Sequence, residues 1–257
     1  MSVLPDLAAA LAAGTVEVID LTAPLSSSTP TLKLPLQFGQ TASFEFEQIS
    51  NYDDRGPAWY WNNFRTGEHT GTHFDAPCHW ITGKGGEDVA SVSPRRLVGP
   101  AAVLDFSAQA AENPDFLLEV DHIRAWEREH GPLPEAGWLL YRTGWDARSH
   151  LQDAFLNADA NGPHTPGVSV DCARWLADES PVVGLGVETV GTDAGAAAGF
   201  DPSFPCHTYM HGAGKFGLTQ LQNLALLPPA GAILVASPLK IVGGSGSPAR
   251  VVALVER

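Results

Sequence analysis

Three histidines and an aspartate are concentrated in the stretch HTGTHFDAPCHW, residues 69–80. They are His69, His73, Asp75 and His79, all at odd-numbered positions. Imidazole and carboxylate groups without thiolates suit manganese, zinc or ferrous iron and do not single out one of these metals. The alternative is a strand whose histidines are merely hydrogen-bonded at the surface. Because four such groups lie around one glycine and one proline, the pattern favours a metal site.

The spacing of these residues sets a condition on the backbone. In an extended chain, residues two apart point to the same side, so His73 and Asp75 could reach one ion. His69 and His79 would lie about 33 Å apart on a straight strand, so the chain must bend if all four are to meet. Gly71 permits a turn, and a proline at position 77 ends a strand ladder. We therefore expect a short strand at His73–Asp75 with a bend on either side.

The pattern H-x-G-T-H-x-D-x-P-x-H resembles the signature of the cyclase-like metal-dependent hydrolases, a family that includes bacterial kynurenine formamidase and isatin hydrolase. Segments 187–193, 207–214 and 218–228 also resemble stretches of this family, so the similarity extends from about Trp59 to the C-terminus. The resemblance implies a single domain over residues 1–257. It implies the swivelling β/β/α form of an α/β fold, with mixed sheets, and a homodimer or higher homo-oligomer.

The resemblance also implies the metal ligands. In the two-zinc formamidases, ligands occur at the positions of His69, His73, Asp75 and His207. Those relatives have a further glutamate ligand where this chain has Thr219, and a hydroxyl is a poor replacement for a carboxylate. We therefore expect one divalent ion, with manganese favoured and zinc possible, held by His73, Asp75, His69 and a glutamine. Either Gln220 or Gln222 could be that glutamine, while His207 and Thr219 would surround the ligands or the substrate. Glu188 replaces an aspartate of the family, and its role stays open.

The implied reaction is hydrolysis of a C–N bond in a cyclic or N-acyl amide, on an aromatic substrate such as isatin, giving isatinate. The ion would polarise the carbonyl and lower the pKa of a water molecule. His79 could move a proton between water and the leaving nitrogen, because imidazole titrates near neutral pH. The alternatives within the family are an N-formylkynurenine formamidase and a lactone hydrolase. The alternative outside enzymes is a catalytically silent protein that binds a metal or a small carboxylate.

Three tryptophans are candidates for contact with a flat substrate. Trp59 and Trp61 lie on one side of an extended segment, and Trp80 directly follows the metal motif. Their rings could stack on an aromatic amide, although aromatic residues also pack in ordinary cores.

The composition excludes several classes of partner. With 29 acidic and 15 basic residues, the net charge of −14 would repel a phosphate backbone, so we expect no nucleic-acid partner. No apolar run approaches the roughly 20 residues that span a bilayer, and no basic amphipathic stretch indicates a membrane surface. We find no secretory signal. Three cysteines without a C-x-x-C spacing argue against a disulfide scaffold and predict a cytoplasmic protein.

The elements that must position the motif alternate along the chain. Hydrophobic periodicity and caps predict helices at 5–14, 119–131 and 169–180, the last with Ser169 as its N-cap. Strands are predicted at 16–21, 42–50, 101–106, 137–143, 182–188, 231–237 and 250–256, and the strand at 42–50 should be half-buried. Several connections are too short for a crossover helix, so the sheets should be antiparallel or mixed.

Overall fold

The computed structural model describes residues 2–257 and consists of helices interspersed with strands. The helices are α1 (Val3–Ala13), α2 (Ser107–Glu112), α3 (Val120–His130), α4 (Gln152–Leu156) and α5 (Val170–Asp178). The strands are β1 (Val16–Asp20), β2 (Glu45–Asn51), β3 (Tyr60–Arg65), β4 (His73–Asp75), β5 (Val98–Asp105), β6 (Leu117–Leu118), β7 (Trp138–Arg142), β8 (Ala158–Asp159), β9 (Gly162–Pro163), β10 (Gly167–Val168), β11 (Gly184–Val187), β12 (Phe216–Thr219), β13 (Ala232–Pro238) and β14 (Gly246–Glu256).

The largest sheet closes on itself. Its order is β1-β14-β13-β5-β7-β11-β12-β4, and β14 pairs again with β4, which joins seven strands in a barrel. Strands β5, β7, β11 and β12 are parallel to their neighbours within this group, whereas β13, β14 and β4 pair antiparallel. The predicted α/β fold with mixed sheets is therefore confirmed. The long strand β14 pairs with β4 near its start and with β1 near its end.

Two apolar layers hold the barrel together, one on each face of its parallel strands. In β5, Ala101 and Val103 face one cluster while Ala102 and Leu104 face the other. The second cluster is covered by α3 and α5, whose buried faces follow the helical period. Each fully buried leucine or valine in such layers contributes roughly 1.5–3 kcal/mol.

Local signals place the helix ends as expected. The Oγ of Ser169 accepts a hydrogen bond from the backbone N–H of Cys172, 3.2 Å away, and so caps α5. Gly14 closes α1 in the left-handed conformation, with φ +72°. The three predicted helices are present, and their observed limits differ by one or two residues.

One prediction about a strand is wrong in part. The segment predicted at 42–50 forms β2, but β2 pairs only with β3, in a two-stranded sheet separate from the barrel. Most of β2 is therefore exposed rather than half-buried, and Phe46 is 65% exposed. Within the described part of the chain, every helix is too short or too polar to cross a bilayer.

Candidate metal centre

The short strand β4 carries the centre of the motif. It lies between β12 and β14, and its alternation sends Phe74 into the barrel core, where the ring packs 4.9 Å from that of Phe216. His73 and Asp75 therefore share the opposite face. Both are buried, and Nε2 of His73 lies 3.3 Å from Oδ1 of Asp75.

Glycines on both neighbouring strands make room for this face. Gly217 of β12 and Gly246 of β14 each stand opposite Asp75. A methyl group on Gly217 would lie 2.7 Å from Oδ2 of Asp75, and one on Gly246 would collide with the ring of His69. The carboxylate of Asp75 and the imidazole of His69 thus occupy space that side chains at positions 217 and 246 would fill.

A hydrogen bond to the backbone fixes the orientation of the His73 ring. Its Nδ1 lies 2.7 Å from the carbonyl oxygen of Gly71. Since a carbonyl only accepts, Nδ1 carries a proton and donates it to this bond, and Nε2 is the ring nitrogen that faces Asp75. Gly71 reaches this position with φ +66°, in the left-handed region that glycine adopts without strain.

His69 lies on the other side of the same carboxylate. Its Nδ1 is 2.7 Å from Oδ1 of Asp75, and its Nε2 is 2.9 Å from Oγ of Ser245, which donates to Glu68. Burial alone would raise the pKa of Asp75, but the charges and hydrogen bonds of His73 and His69 hold it well below its usual range. Asp75 is therefore an ionised, buried ligand candidate.

The two glutamines differ in what their side-chain oxygens contact. The Oε1 of Gln220 is buried and has no hydrogen-bond partner among the described residues. The backbone of Gln220 is held beside β4, because Oγ1 of Thr72 donates to its carbonyl oxygen at 2.7 Å. In Gln222, by contrast, Oε1 accepts from Oγ of Ser149 at 3.2 Å. Only Gln220 combines burial with a free ligand atom.

Thr219 occupies the position at which the family resemblance implies a glutamate in the two-zinc formamidases. It stands opposite His73 in the ladder between β12 and β4. Its Oγ1 lies 2.9 and 3.0 Å from the two ring nitrogens of His73, and the residue is fully buried. A hydroxyl therefore fills the space beside His73, and it brings no negative charge.

His79 reaches the site through the bend that Pro77 begins. The 3₁₀ turns at Pro77–His79 and Ile81–Gly83 pack against one turn of π-helix at His207–His211. The ring centroid of His79 lies 3.9 Å from that of His69, 5.5 Å from His207 and 5.9 Å from His211. Burial lowers the pKa of His79 to about 3, although the charge of Asp75 opposes this. A nitrogen of His79 and one of His69 lie within 4.8 Å of an oxygen of Asp75 and of each other.

The π-helical turn supplies a second group of donors. Ring nitrogens of His207 and His211 lie within 4.8 Å of each other and of an oxygen of Asp75. The Nδ1 of His207 is 2.5 Å from Oδ2 of Asp193. Burial by itself would lower the pKa of His207, but this hydrogen bond and the negative charge of Asp193 have the larger effect, so the pKa is raised. Sequence reasoning did not single out Asp193, although it ends the segment 187–193 that resembles the family.

The three tryptophans lie in different surroundings. The ring of Trp80 is 4.8 Å from that of His207, and its Nε1 donates to Oγ1 of Thr208. Trp59 and Trp61 lie on the β2–β3 hairpin and are 48% and 54% exposed. The structure thus brings only Trp80 against the histidines, and a substrate contact from the hairpin stays a prediction.

Glu188, which follows β11, is a buried carboxyl that holds a loop. Its Oε2 accepts from the backbone N–H groups of Thr143 and Trp145, at 2.7 and 3.1 Å, while its Oε1 has no partner among the described residues. Burial and the negative charge of Asp146 raise the pKa of Glu188 to about 7. This geometry indicates a structural role for Glu188 in fixing the loop after β7.

Comparisons with known proteins identify the family of this chain. The model of a protein family described as "Putative cyclase" matches residues 19–194. Isatin hydrolase of Roseibium aggregatum is 48% identical over 259 residues, which cover 100% of this chain and 98% of that protein. Kynurenine formamidase of Salinibacter ruber is 31% identical over 198 residues, which cover 74% of this chain and 77% of that protein.

Solved structures give the same result. Isatin hydrolase A from Ralstonia solanacearum has 55% identity and a TM-score of 0.97, with 100% of this chain and 98% of that chain covered. A crystal structure of an isatin hydrolase bound to the product analogue thioisatinate has 47% identity and a TM-score of 0.97, with both chains fully covered.

Proposed function

Because the chain belongs to the cyclase family, we propose that it is a metal-dependent hydrolase that opens the lactam C–N bond of isatin to give isatinate. The observation that carries this proposal is the buried pair of His73 and Asp75 on one face of β4, with Nε2 of His73 3.3 Å from Oδ1 of Asp75. The substrate is inferred from the full-length relatives, one of which binds thioisatinate. The whole chain, residues 1–257, would act as one catalytic domain.

The residues fit a single divalent ion. The Nδ1 of His73 is held by Gly71, so Nε2 is the nitrogen left to bind the ion. Asp75 is ionised, and the buried Oε1 of Gln220 lacks the hydrogen bond that a buried amide oxygen normally has. We assign His73, Asp75 and Gln220 as ligands, with His69 holding Asp75 and available as a further ligand. Oxygen and imidazole ligands without thiolate suit both manganese and zinc, and we propose manganese. When bound, the ion supplies Lewis acidity, which polarises a carbonyl and lowers the pKa of water.

His79 is the group that we assign to proton transfer. Its ring lies against His69, and burial keeps the imidazole neutral. His79 would take a proton from water as the water oxygen bonds to the lactam carbonyl carbon, and would give that proton to the nitrogen as the C–N bond breaks. The new carboxylic acid then ionises, so each turnover releases one proton to solvent.

A direct assay tests this function. The metal-loaded protein should hydrolyse isatin, a chelator should abolish the reaction, and added Mn²⁺ should restore it. N-formylkynurenine is the comparison substrate, because a formamidase is among the relatives. A higher kcat/KM for N-formylkynurenine would move the assignment to formamidase, and a preference for lactones would favour a lactone hydrolase. Absence of turnover on all three would favour a catalytically silent binding protein.

We also propose that the chain forms a homodimer or higher homo-oligomer through the β2–β3 hairpin. Exposed aromatic side chains are concentrated there, including Trp59, Tyr60, Trp61 and Phe64, each 48–57% exposed. A monomer rarely leaves such a patch in water. Light scattering should give a mass of at least two chains, and Trp61→Ser with Phe64→Ser should lower it. The cytoplasmic location and the lack of a nucleic-acid partner stay predictions.

A further inference from the structure

His211 is a buried histidine for which the proposed mechanism gives no role. Its side chain is almost wholly removed from solvent, with 2% of the residue exposed. The Nδ1 lies 3.1 Å from the carbonyl oxygen of Lys215, so Nδ1 carries the proton and donates. The Nε2 therefore keeps a lone pair, and it has no hydrogen-bond partner among the described residues. Such a buried, unpaired acceptor is uncommon and calls for an explanation.

The surroundings of His211 fix its orientation. The backbone N–H of Lys215 donates to the carbonyl of Met210 at 2.8 Å, and its Nζ donates to the carbonyls of Leu176 and Ser180 at the end of α5. Lys215, whose carbonyl holds Nδ1, is thus tied to the π-helical turn and to the end of α5. A rigidly held imidazole with one free nitrogen is suited to recognising one atom of a ligand.

His211 belongs to a group of donor residues beside the candidate metal centre. Since Nδ1 is engaged by Lys215, Nε2 is the nitrogen of His211 available to the group that includes Asp75 and His207, whose donor atoms lie within 4.8 Å of one another. The ring of His211 is 5.9 Å from that of His79. The acceptor therefore borders the space in which an amide bound at Asp75 would meet His79.

We propose that His211 is a specificity-determining residue whose Nε2 accepts a hydrogen bond from the N–H of the substrate amide. This inference rests on the proposed function and adds the substrate class: amides with a free N–H. A lactone has an oxygen in place of the N–H group, and an N-alkyl amide has a carbon in place of the hydrogen on nitrogen. Both compounds would therefore leave the buried Nε2 unpaired. A site built around a buried acceptor discriminates strongly against such analogues.

The test compares isatin with N-methylisatin. The wild-type protein should prefer isatin by about 10- to 100-fold in kcat/KM, the range that one unpaired buried group produces. His211→Phe keeps a ring of similar bulk but lacks the acceptor, so kcat/KM for isatin should fall and the two substrates should agree within about threefold. His211→Gln, whose side-chain oxygen can accept, should restore part of the preference. His150→Phe, at an exposed histidine, is the matched control and should leave the ratio unchanged.

Two readouts besides activity keep the outcomes distinct. Metal content should be the same in wild type and His211→Phe; a loss in the variant would make His211 a metal ligand and overturn the proposal. An undiminished preference in His211→Phe would mean that steric exclusion of the methyl group, not a hydrogen bond, sets the ratio.

Calorimetric measurement of the binding of both compounds separates the proposed role of His211 from the proposed hydrolysis reaction. If isatin binds preferentially but is not hydrolysed, and His211→Phe abolishes that preference, only the proposed reaction fails. If neither compound binds, both proposals fail.

Discussion

Gly217 stands directly opposite Asp75 in the ladder between β12 and β4, and a methyl group at Gly217 would lie 2.7 Å from Oδ2 of that carboxylate. On the other side, Gly246 of β14 leaves the room that His69 needs to reach Asp75. The carboxylate can be buried between two strands and still contact two imidazoles because neither neighbour has a side chain. The barrel closure, which brings β14 to β4, is therefore also what builds the site.

Gly217→Ala should weaken metal binding. The added methyl group must displace Asp75 or the β12 backbone, since real contacts at 2.7 Å from a Cβ are essentially never observed. We expect at least a tenfold loss of Mn²⁺ affinity and roughly 1–3 kcal/mol of lost stability from overpacking. Metal titration and urea unfolding measure the two effects. Gly199→Ala is the control, because a methyl group there meets no atom within 4 Å. Equal metal affinity in the two variants would contradict the role given to Gly217.

The two glutamines provide a matched pair of variants. Gln220→Ala removes the unpartnered buried oxygen and should lower metal affinity by about 10- to 100-fold. Gln222→Ala removes an oxygen that already bonds to Ser149 and should leave affinity within about twofold of wild type. Metal titration of both proteins decides between them. The reverse ranking would make Gln222 the ligand.

His79→Ala should separate catalysis from metal binding. Loss of the proton-transfer group should reduce kcat by about 10²- to 10⁴-fold, the usual range for general acid–base catalysis. Metal content should be unchanged, because the assigned ligands are intact. His150→Ala, at an exposed position, should behave as wild type in both measurements. If the His79 variant loses its metal, His79 is a ligand and the assigned mechanism is wrong.

Glu188 predicts a pH dependence of stability. Its pKa is raised to about 7, so the folded protein keeps a proton that the unfolded chain releases near its ordinary value of about 4.3. The stabilisation from this proton is complete below about pH 4.3 and is lost as the pH rises through about 7. Glu188→Gln cannot ionise, so above pH 8 it should be more stable than wild type by on the order of 3 kcal/mol, and by little near pH 4.

Urea unfolding at pH 4.5 and pH 8.5 checks the prediction for Glu188. Glu179→Gln replaces an exposed carboxylate and serves as the control, with the same stability as wild type at each pH. A Glu188→Gln variant that is less stable than wild type at pH 8.5 would mean that the ionised carboxylate stabilises the loop at Thr143 and Trp145.

The parts of the structure that depend on local spacing could be predicted from sequence. The period of two that placed His73 and Asp75 on one face is a local property, as are the caps at Gly14 and Ser169. The second pairing of β14 with β4 could not be predicted, because it joins residues about 170 positions apart and no local pattern encodes it.

Most features of the site that the sequence did not predict depend on hydrogen-bond partners. Gln220 and Gln222 are chemically identical, and what distinguishes them is the burial of Gln220 and the contact of Gln222 with Ser149. The hydrogen bond between Asp193 and His207 depends on how the chain between these two residues folds, which the sequence does not reveal. The exposure of Phe46 depends on the hairpin standing apart from the barrel, which the alternation of residues 42–50 does not reveal.

We propose that one divalent ion, held by His73, Asp75 and Gln220, enables the hydrolysis of isatin. Metal content per chain tests it most directly, measured by plasma mass spectrometry on protein loaded with Mn²⁺ and freed of excess ion. We predict about one equivalent per chain in the wild type, much less than one in Asp75→Asn, and isatin hydrolysis in proportion to the metal bound. About two equivalents would contradict the single-ion site and favour formamidase chemistry. No bound metal under any loading condition would contradict the ligand assignments and the proposed hydrolase function with them.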